Sequence, residues 1–319
     1  ILYAHHTDLG WILIGDDGPN VYSTPALLII DIGGDDTYIH TATPSEKKPS
    51  ARLYIDYAGN DHHLSAGYGS SGAAIGGVEV LIDVQGDDHY SGDVLSQGAA
   101  FCGIGILWDQ AGNDVYRGRS SVQATAFFGA GLLIDEEGDD LYSASHIAQG
   151  FGGMRGLGLL ADRGGADTYV ADYRAPSTYG ELGQYAGWAQ GVGCGFRGYG
   201  SGGIGLLVDA AGDDRYHGGE FSQGIGYFFG IGLLADSGGN DRYRGRRYAQ
   251  GAAAHQAVGL LIDAAGDDSY RTTGAASQGS AWDAAIGYLE DRSGRDIYSG
   301  GTLTQGAAAM NGLGTLIDW

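Results

Sequence analysis

The sequence predicts an all-β repeat fold: a β-solenoid, parallel β-helix-like, of about 10–11 coils of ~27 residues each. Three observations predict it. A motif, Asp-x-x-Gly-x-Asp-x-Tyr (His in one copy), recurs along the chain at nearly constant spacing. Glycine makes up 61 of 319 residues, about three times the usual share, without the every-third-residue period of collagen. The apolar runs between motifs are only about four residues long, too short for a 3.6-residue helical stripe but suited to strands bounded by turns.

The first Asp of the motif falls at Asp31, Asp56, Asp83, Asp109, Asp135, Asp162, Asp209, Asp236, Asp263, Asp291 and Asp318. Successive steps are 25, 27, 26, 26, 27, 47, 27, 27, 28 and 27 residues. In each of the ten full units Gly stands three residues later and a second Asp five later, at 36, 61, 88, 114, 140, 167, 214, 241, 268 and 296. Seven later is Tyr, except at His63. Further on comes a glutamine: Gln97, Gln123, Gln149, Gln223, Gln250, Gln278 and Gln305, with Gln190 displaced by the long step. Units this short cannot bury their own apolar face, so neighbours must stack. Propeller blades need about 40 residues or more and are excluded.

Stacking at about 4.8 Å per coil turns each slot into a ladder. The Tyr ladder is expected to stack ring on ring, and the Gln ladder to bond amide to amide along the axis. The residue two before the first Asp is apolar throughout, as at Leu107 and Leu133, and so are nearly all residues one and three before it, as at Ile82 and Leu132. Adjacent strand residues face opposite sides, so this sheet is apolar on both faces. One face is core; the outer one must be covered by the rest of the coil or by a partner. The chain reads as one solenoid domain, 1–319, with a degenerate first coil at 1–30 (Gly15–Tyr22 is a decayed motif) and a loop insertion at 171–203. It opens at Ile1 and stops at Asp318-Trp319, where another unit would begin, as a piece of a longer chain would.

Thirty-nine acids against 17 Lys and Arg give a formal charge of −22, which argues against nucleic acid as a partner. No apolar run is long enough for a membrane span. Cys102 and Cys194 lie on coils too far apart for a disulfide. No Gly-x-Ser-x-Gly, phosphate-binding loop or paired-cysteine zinc pattern is present, so no catalytic residue is assigned.

The acids are organised. Stacked carboxylates one strand spacing apart repel by about 1 kcal/mol in bulk water and several times more near protein. A hard dication between successive turns removes that cost, held by carboxylate and carbonyl oxygens. The expected metal ligands are Asp83, Asp88, Asp109, Asp114, Asp135, Asp140, Asp162, Asp167, Asp209, Asp214, Asp236, Asp241, Asp263 and Asp268, and the expected cofactor is calcium. Asp35, Asp87, Asp139, Asp213 and Asp267, beside the second Asps, add to the charge of the turns.

Stretches such as Gly238-Gly239-Asn240-Asp241-Arg242-Tyr243 and Ala111-Gly112-Asn113-Asp114-Val115-Tyr116 resemble the turn of RTX-type calcium-binding β-roll repeat proteins. The resemblance covers about six residues per unit, and the period differs: one turn per ~27 residues here against one per nine in that family. It implies calcium bound between stacked turns.

Where the repeat is interrupted, the insertion gathers Tyr173, Tyr179, Tyr185, Trp188, Phe196 and Tyr199 with Arg174 and Arg197, either a ligand-binding surface or rings packed over the rod. Its only acids are Asp172 and Glu181. Lys47 and Lys48 sit in a segment, Thr41–Ser50, expected to be a solvated loop. His5 and His6, or His62 and His63, have metal-ligating chemistry, but adjacent strand residues point apart and chelate poorly alone. Arg242, Arg244, Arg246 and Arg247 form a basic patch expected to balance nearby aspartates. The leading expectation is an extracellular or cell-surface scaffold, adhesin segment or assembly subunit, a periplasmic placement being compatible, stabilised by calcium. Its partner would be another protein or a cell-surface or glycan component, met along the apolar face or the insertion. The alternative is a carbohydrate-binding or polysaccharide-degrading β-helix using the insertion.

Overall fold

The structure, a computed structural model, describes residues 1–41, 51–171 and 173–319. Lys47, Lys48 and Asp172 lie outside the described residues. The described residues contain no helix: strands wind into a stack of about ten coils, and the chain is a parallel β-solenoid.

Two long ladders carry the coil. The first consists of the runs that end on the first Asp, among them Ala130–Asp135, Leu157–Asp162, Ile204–Asp209, Ile231–Asp236 and Val258–Asp263. Pairing is parallel and in register, with Leu107, Leu133, Leu160, Leu207, Leu234, Leu261 and Leu289 aligned. The second ladder carries the Tyr slot, in strands such as Val115–Val122, Thr168–Ala171 and Arg215–Gly218. A third, two- or three-residue run, such as Ala126–Phe127, Val192–Cys194 or Gly226–Tyr227, stacks alongside the first ladder. At the N-terminus Tyr3–Thr7 and Gly10–Ile14 form an antiparallel hairpin whose second strand joins the first ladder. Tyr22 of the decayed motif stacks on Tyr38 at 4.8 Å, so this copy keeps its place in the core.

The core is thin and polar at one edge. The Leu column is fully buried and faces the Tyr column, whose rings stack 4.7–4.9 Å apart within 1–4° from Tyr90 to Tyr298. The expected ring ladder is present, and His63 takes a rung of it, 4.4 Å from Tyr38 and 4.7 Å from Tyr90. The motif glycine is fixed by close approach: at Gly212 (φ +149°) a Cβ would lie 1.5 Å from the carbonyl oxygen of Gly165 one coil away.

The Gln ladder differs from expectation. In six coils the amide nitrogen bridges two backbone carbonyls, as Gln97 Nε2 donates to Tyr90 O in its own coil and Arg117 O in the next, both at 2.9 Å, while Gln190 Nε2 donates to Tyr169 O. With both hydrogens used, no amide-to-amide chain forms. The side chain reaches those carbonyls from a left-handed backbone, φ +57° at Gln97 and +52° at Gln123, in residues that are not glycine. The outward columns of the first ladder are not covered by the coil: Ile104, Leu157, Ile204, Ile231 and Ile286 are exposed, and Leu132, Leu206 and Leu260 are half-buried.

Candidate metal centre

The Gly-Asp turn places two aspartates per coil at the inner edge of the stack, where side chains of successive coils meet. The second Asp is held by a backbone ladder. The amide of Asp88 donates to Asp114 Oδ1 at 2.6 Å, that of Asp114 to Asp140 at 2.6 Å, and so on from Asn20 to Asp296. Only one oxygen of each carboxylate is used. In all ten second Asps the Oδ2 is buried and reached by no hydrogen-bond donor.

The first Asp receives a phenol. Tyr90 donates to Asp109 Oδ2, Tyr116 to Asp135 Oδ2 and Tyr142 to Asp162 Oδ2, each at 2.7 Å and each into the following coil. In several coils its Oδ1 caps the turn through an amide two residues on, as Gly164 N does on Asp162 and Gly238 N on Asp236. Asp83 is the exception. The Tyr slot before it holds His63, whose Nε2 lies 3.8 Å away, and both Asp83 oxygens stay without a donor. Burial pulls His63 well below the usual histidine range, so it is neutral.

These columns meet. The carboxylate oxygens of Asp88, Asp109 and Asp114 lie within 4.8 Å of one another, as do those of Asp61, Asp83 and Asp88, of Asp114, Asp135 and Asp140, and of Asp140, Asp162 and Asp167. Nine such groups occur among the described residues, and all fourteen aspartates expected as ligands are buried. Burial first, and in most of them repulsion from the next carboxylate, raises their affinity for protons: Asp88 is pushed up to about 9, Asp167 to about 9, Asp114 to about 7 and Asp214 to about 7. Such a column demands positive charge, either a cation or shared protons. Three oxygens no more than 4.8 Å apart lie within about 2.8 Å of a common centre, so a shift of a few tenths of an ångström brings all three into the range of calcium ligands, about 2.3–2.6 Å. From Asp61 to Asp167 successive groups share a second Asp, Asp88, Asp114 or Asp140, and ions in them would be bridged about one strand spacing apart.

The outer acids behave differently. In the slot beside the second Asp the residues run Asp35, Asn60, Asp87, Asn113, Asp139, and later Asp213, Asn240, Asp267. The backbone amides of Asn60, Asp87, Asn113, Asp139, Asn240 and Asp267 donate to the side chain of the coil before, as Asn113 N does to Asp87 Oδ1 at 2.8 Å and Asp139 N to Asn113 Oδ1 at 3.0 Å. Alternating carboxylate with carboxamide separates like charges, and this solvated ladder needs no ion.

The insertion is not one platform. Trp188 stacks on Phe221 at 3.9 Å, and Tyr179 lies over Tyr248 at 6.2 Å. Arg247 covers the Tyr179 ring at 4.3 Å and pairs with Glu181 at 2.7 Å, so this member of the basic patch pins the insertion instead of balancing the Asp columns. Tyr199 is exposed, and Tyr173 and Tyr185 sit apart from it on other stretches of the loop. Among the five candidate ligand-binding residues, Trp188 lines a concavity of about 280 Å³ with Ile147, Phe151, Cys194, Phe196, Arg197 and Tyr227. At its mouth Arg197 contacts His255 Nε2, whose Nδ1 lies 2.8 Å from Asp283 Oδ2. That relay spans three coils, and no sequence spacing announces it. His5 and His6 lie on the N-terminal hairpin, His6 packing edge-on to Trp11, while His62 faces outward near His89. Both cysteines are free.

No protein-family model, curated protein or solved structure matches this chain.

Proposed function

We propose that the chain is a calcium-stabilised solenoid scaffold, working outside the cell or at its surface as a spacer, adhesin segment or assembly subunit. The observation that carries this reading is the column of buried Oδ2 atoms without donors beside the first Asps. An unpaired buried carboxylate costs several kcal/mol, and ten in a row are untenable without compensation. A hard dication is the compensation that carboxylates prefer. Extracellular modules work with calcium affinities of about 10⁻⁴–10⁻³ M, weak enough to be filled only where calcium is abundant. Near-identical coils build a uniform rod and surface, in keeping with a structural role. The test is thermal unfolding followed by circular dichroism, in calcium and in excess chelator. A large fall in Tm on chelation, restored by calcium and not by sodium, supports the reading; an unchanged Tm rejects it in favour of shared protons.

The concavity beside Trp188 favours a second reading, a glycan-binding module in which a sugar face stacks on an exposed ring while Arg197 supplies hydrogen bonds. A glycan screen decides it: binding lost in Trp188→Ala supports this site, and binding that survives deletion of the insertion removes it.

A further inference from the structure

We propose that the outer face of the first ladder is a self-association surface, on which a second copy of this chain docks face to face when the aspartate columns are loaded with calcium. The calcium dependence rests on the metal reading above; the surface does not.

The face is made by the residues one, three and five before the first Asp, on the side of the sheet away from the Leu column, except Ala26, which a register shift leaves buried in the core. Eleven strands supply them, from Ala26–Asp31 to Leu313–Asp318. The column five before reads Val78, Ile104, Ala130, Leu157, Ile204, Ile231, Val258 and Ile286; the column three before holds Leu132, Leu159, Leu206, Leu233 and Leu260; the column one before holds Ile82, Trp108, Ile134, Val208 and Ile262. Across all three columns the only ionisable groups are Tyr288 and Glu290, and the only charge is that of Glu290, in a chain of net charge −22. No other segment of the described coil lies over them, and the outermost column is 38–43% exposed at Val78, Ile104, Leu157, Ile204, Ile231 and Ile286.

Size and shape argue for the occupant. Five residues of strand span about 13 Å, and eleven strands at 4.8 Å span about 50 Å, a footprint on the order of 700 Å². That is close to the roughly 800 Å² per partner of a stable specific interface. It also exceeds the apolar patches that monomers usually leave bare. The ridges of this surface repeat at the strand spacing along its whole length. A flat sheet of the same period is the matching surface, and the chain itself presents one. Two such sheets pack about 10 Å apart with side chains interdigitated, and a two-fold axis lying in the interface plane makes the contact self-complementary.

Charge supplies the control. Two copies at −22 each repel strongly, and the columns that carry most of that charge lie just behind the Gly-Asp turn at the end of the same strands. With every carboxyl ionised, nine dications set +18 against the formal −22. Protons held by the metal-free columns make the change smaller, and each ion that displaces fewer than two protons still lowers the negative charge of the copy. Calcium therefore weakens the opposition to docking without touching the interface.

The experiment is sedimentation equilibrium of the intact chain in calcium and in chelator, with calorimetric calcium titration in parallel. The proposal expects a dimer in calcium, associating at least about tenfold more tightly than in chelator, and partial recovery of association in chelator at high sodium chloride, where repulsion is screened. Leu132→Lys with Leu206→Lys places two charges mid-face at outward positions. This variant should bind as much calcium as the parent, keep its calcium-loaded Tm, and remain monomeric. A parent chain that binds calcium and stays monomeric at about 100 μM, far above a micromolar dissociation constant, overturns the proposal, and so does a double-lysine variant that still dimerises. Dimers that form equally with and without calcium, with no heat of calcium binding, keep the surface and overturn both its control and the metal reading.

Discussion

The phenol of Tyr116 donates to Asp135 Oδ2 at 2.7 Å, across the boundary between consecutive coils and 19 residues along the chain. The same phenol sits in a ring stack, 4.8 Å from Tyr90 on one side and Tyr142 on the other. One residue therefore ties the apolar centre of the rod to its acidic edge. Its hydroxyl is buried and stays protonated, since burial and the surrounding aspartates raise its proton affinity.

Tyr116→Phe keeps the ring stack and removes the donor. Asp135 Oδ2 is left with only the longer contact to the Tyr142 hydroxyl at 3.2 Å, a group that also donates to Asp162 Oδ2 at 2.7 Å, beside an Oδ1 that has no donor. Urea unfolding should show a loss of about 1–3 kcal/mol. A loss near zero would mean that the phenol–carboxylate bond does not stabilise the fold.

Asp88→Asn should change sign with the metal. Asp88 belongs to two adjacent groups, with Asp61 and Asp83 on one side and Asp109 and Asp114 on the other. Its Oδ1 accepts the Asp61 amide at 2.6 Å, and an asparagine oxygen can do the same. In chelator the variant loses a buried carboxyl that is pushed up to about 9 and must take up a proton on folding, and it should be more stable than the parent by about 1–3 kcal/mol. In calcium it loses a ligand from two sites and should be less stable, with two fewer ions bound. Thermal melts in both buffers check this; a shift of the same sign in each contradicts it.

The pH dependence follows from the raised aspartates. In the metal-free protein a carboxyl whose folded value lies above its unfolded value of about 4 favours the folded state in acid. That stability is complete below about pH 4 and is lost as pH rises through the folded values, about 7 for Asp114 and Asp214 and about 9 for Asp88 and Asp241. In chelator, Tm should therefore fall from pH 4 to 9. In calcium, protons compete with the ions, and Tm should rise over the same interval. Parallel curves in the two buffers would contradict the account.

Asn113→Asp tests the outer ladder. It places three carboxylates in succession, Asp87, the new Asp and Asp139, and removes the Asn113 Nδ2 bond to Asp87 at 3.2 Å. The variant should melt lower than the parent at low salt, with most of the difference gone at about 1 M sodium chloride. A salt-independent difference would assign the effect to the lost hydrogen bond alone.

The coil register was legible because four slots, Asp, Gly, Asp and Tyr, each have one physical task that tolerates few substitutes. Gly165 and Gly212 illustrate it: a carbonyl of one stands where a Cβ of the other would be. The ring stack and the burial of both Asp columns follow from register alone. The glutamine geometry does not. Gln97 and Gln123 adopt a left-handed backbone normally left to glycine, compensated by two carbonyl bonds from the side chain, and nothing in the residue type signals it. The Asp–Asn alternation from Asp35 to Asp139 was readable in the sequence and needed only the slot to be followed coil by coil. The Arg197–His255–Asp283 relay was not, because its members come from an insertion and two turns of different coils.

The central claim is that cations occupy the aspartate columns. The most direct measurement is anomalous diffraction from crystals grown in calcium and exchanged into terbium. The account predicts a row of anomalous peaks spaced about 4.8 Å apart along the rod, each between the second Asp of one coil and the two aspartates of the next, as between Asp88, Asp109 and Asp114. A column with no peaks, and with Asp109 and Asp114 oxygens drawn together to about 2.5 Å around a shared proton, would contradict it.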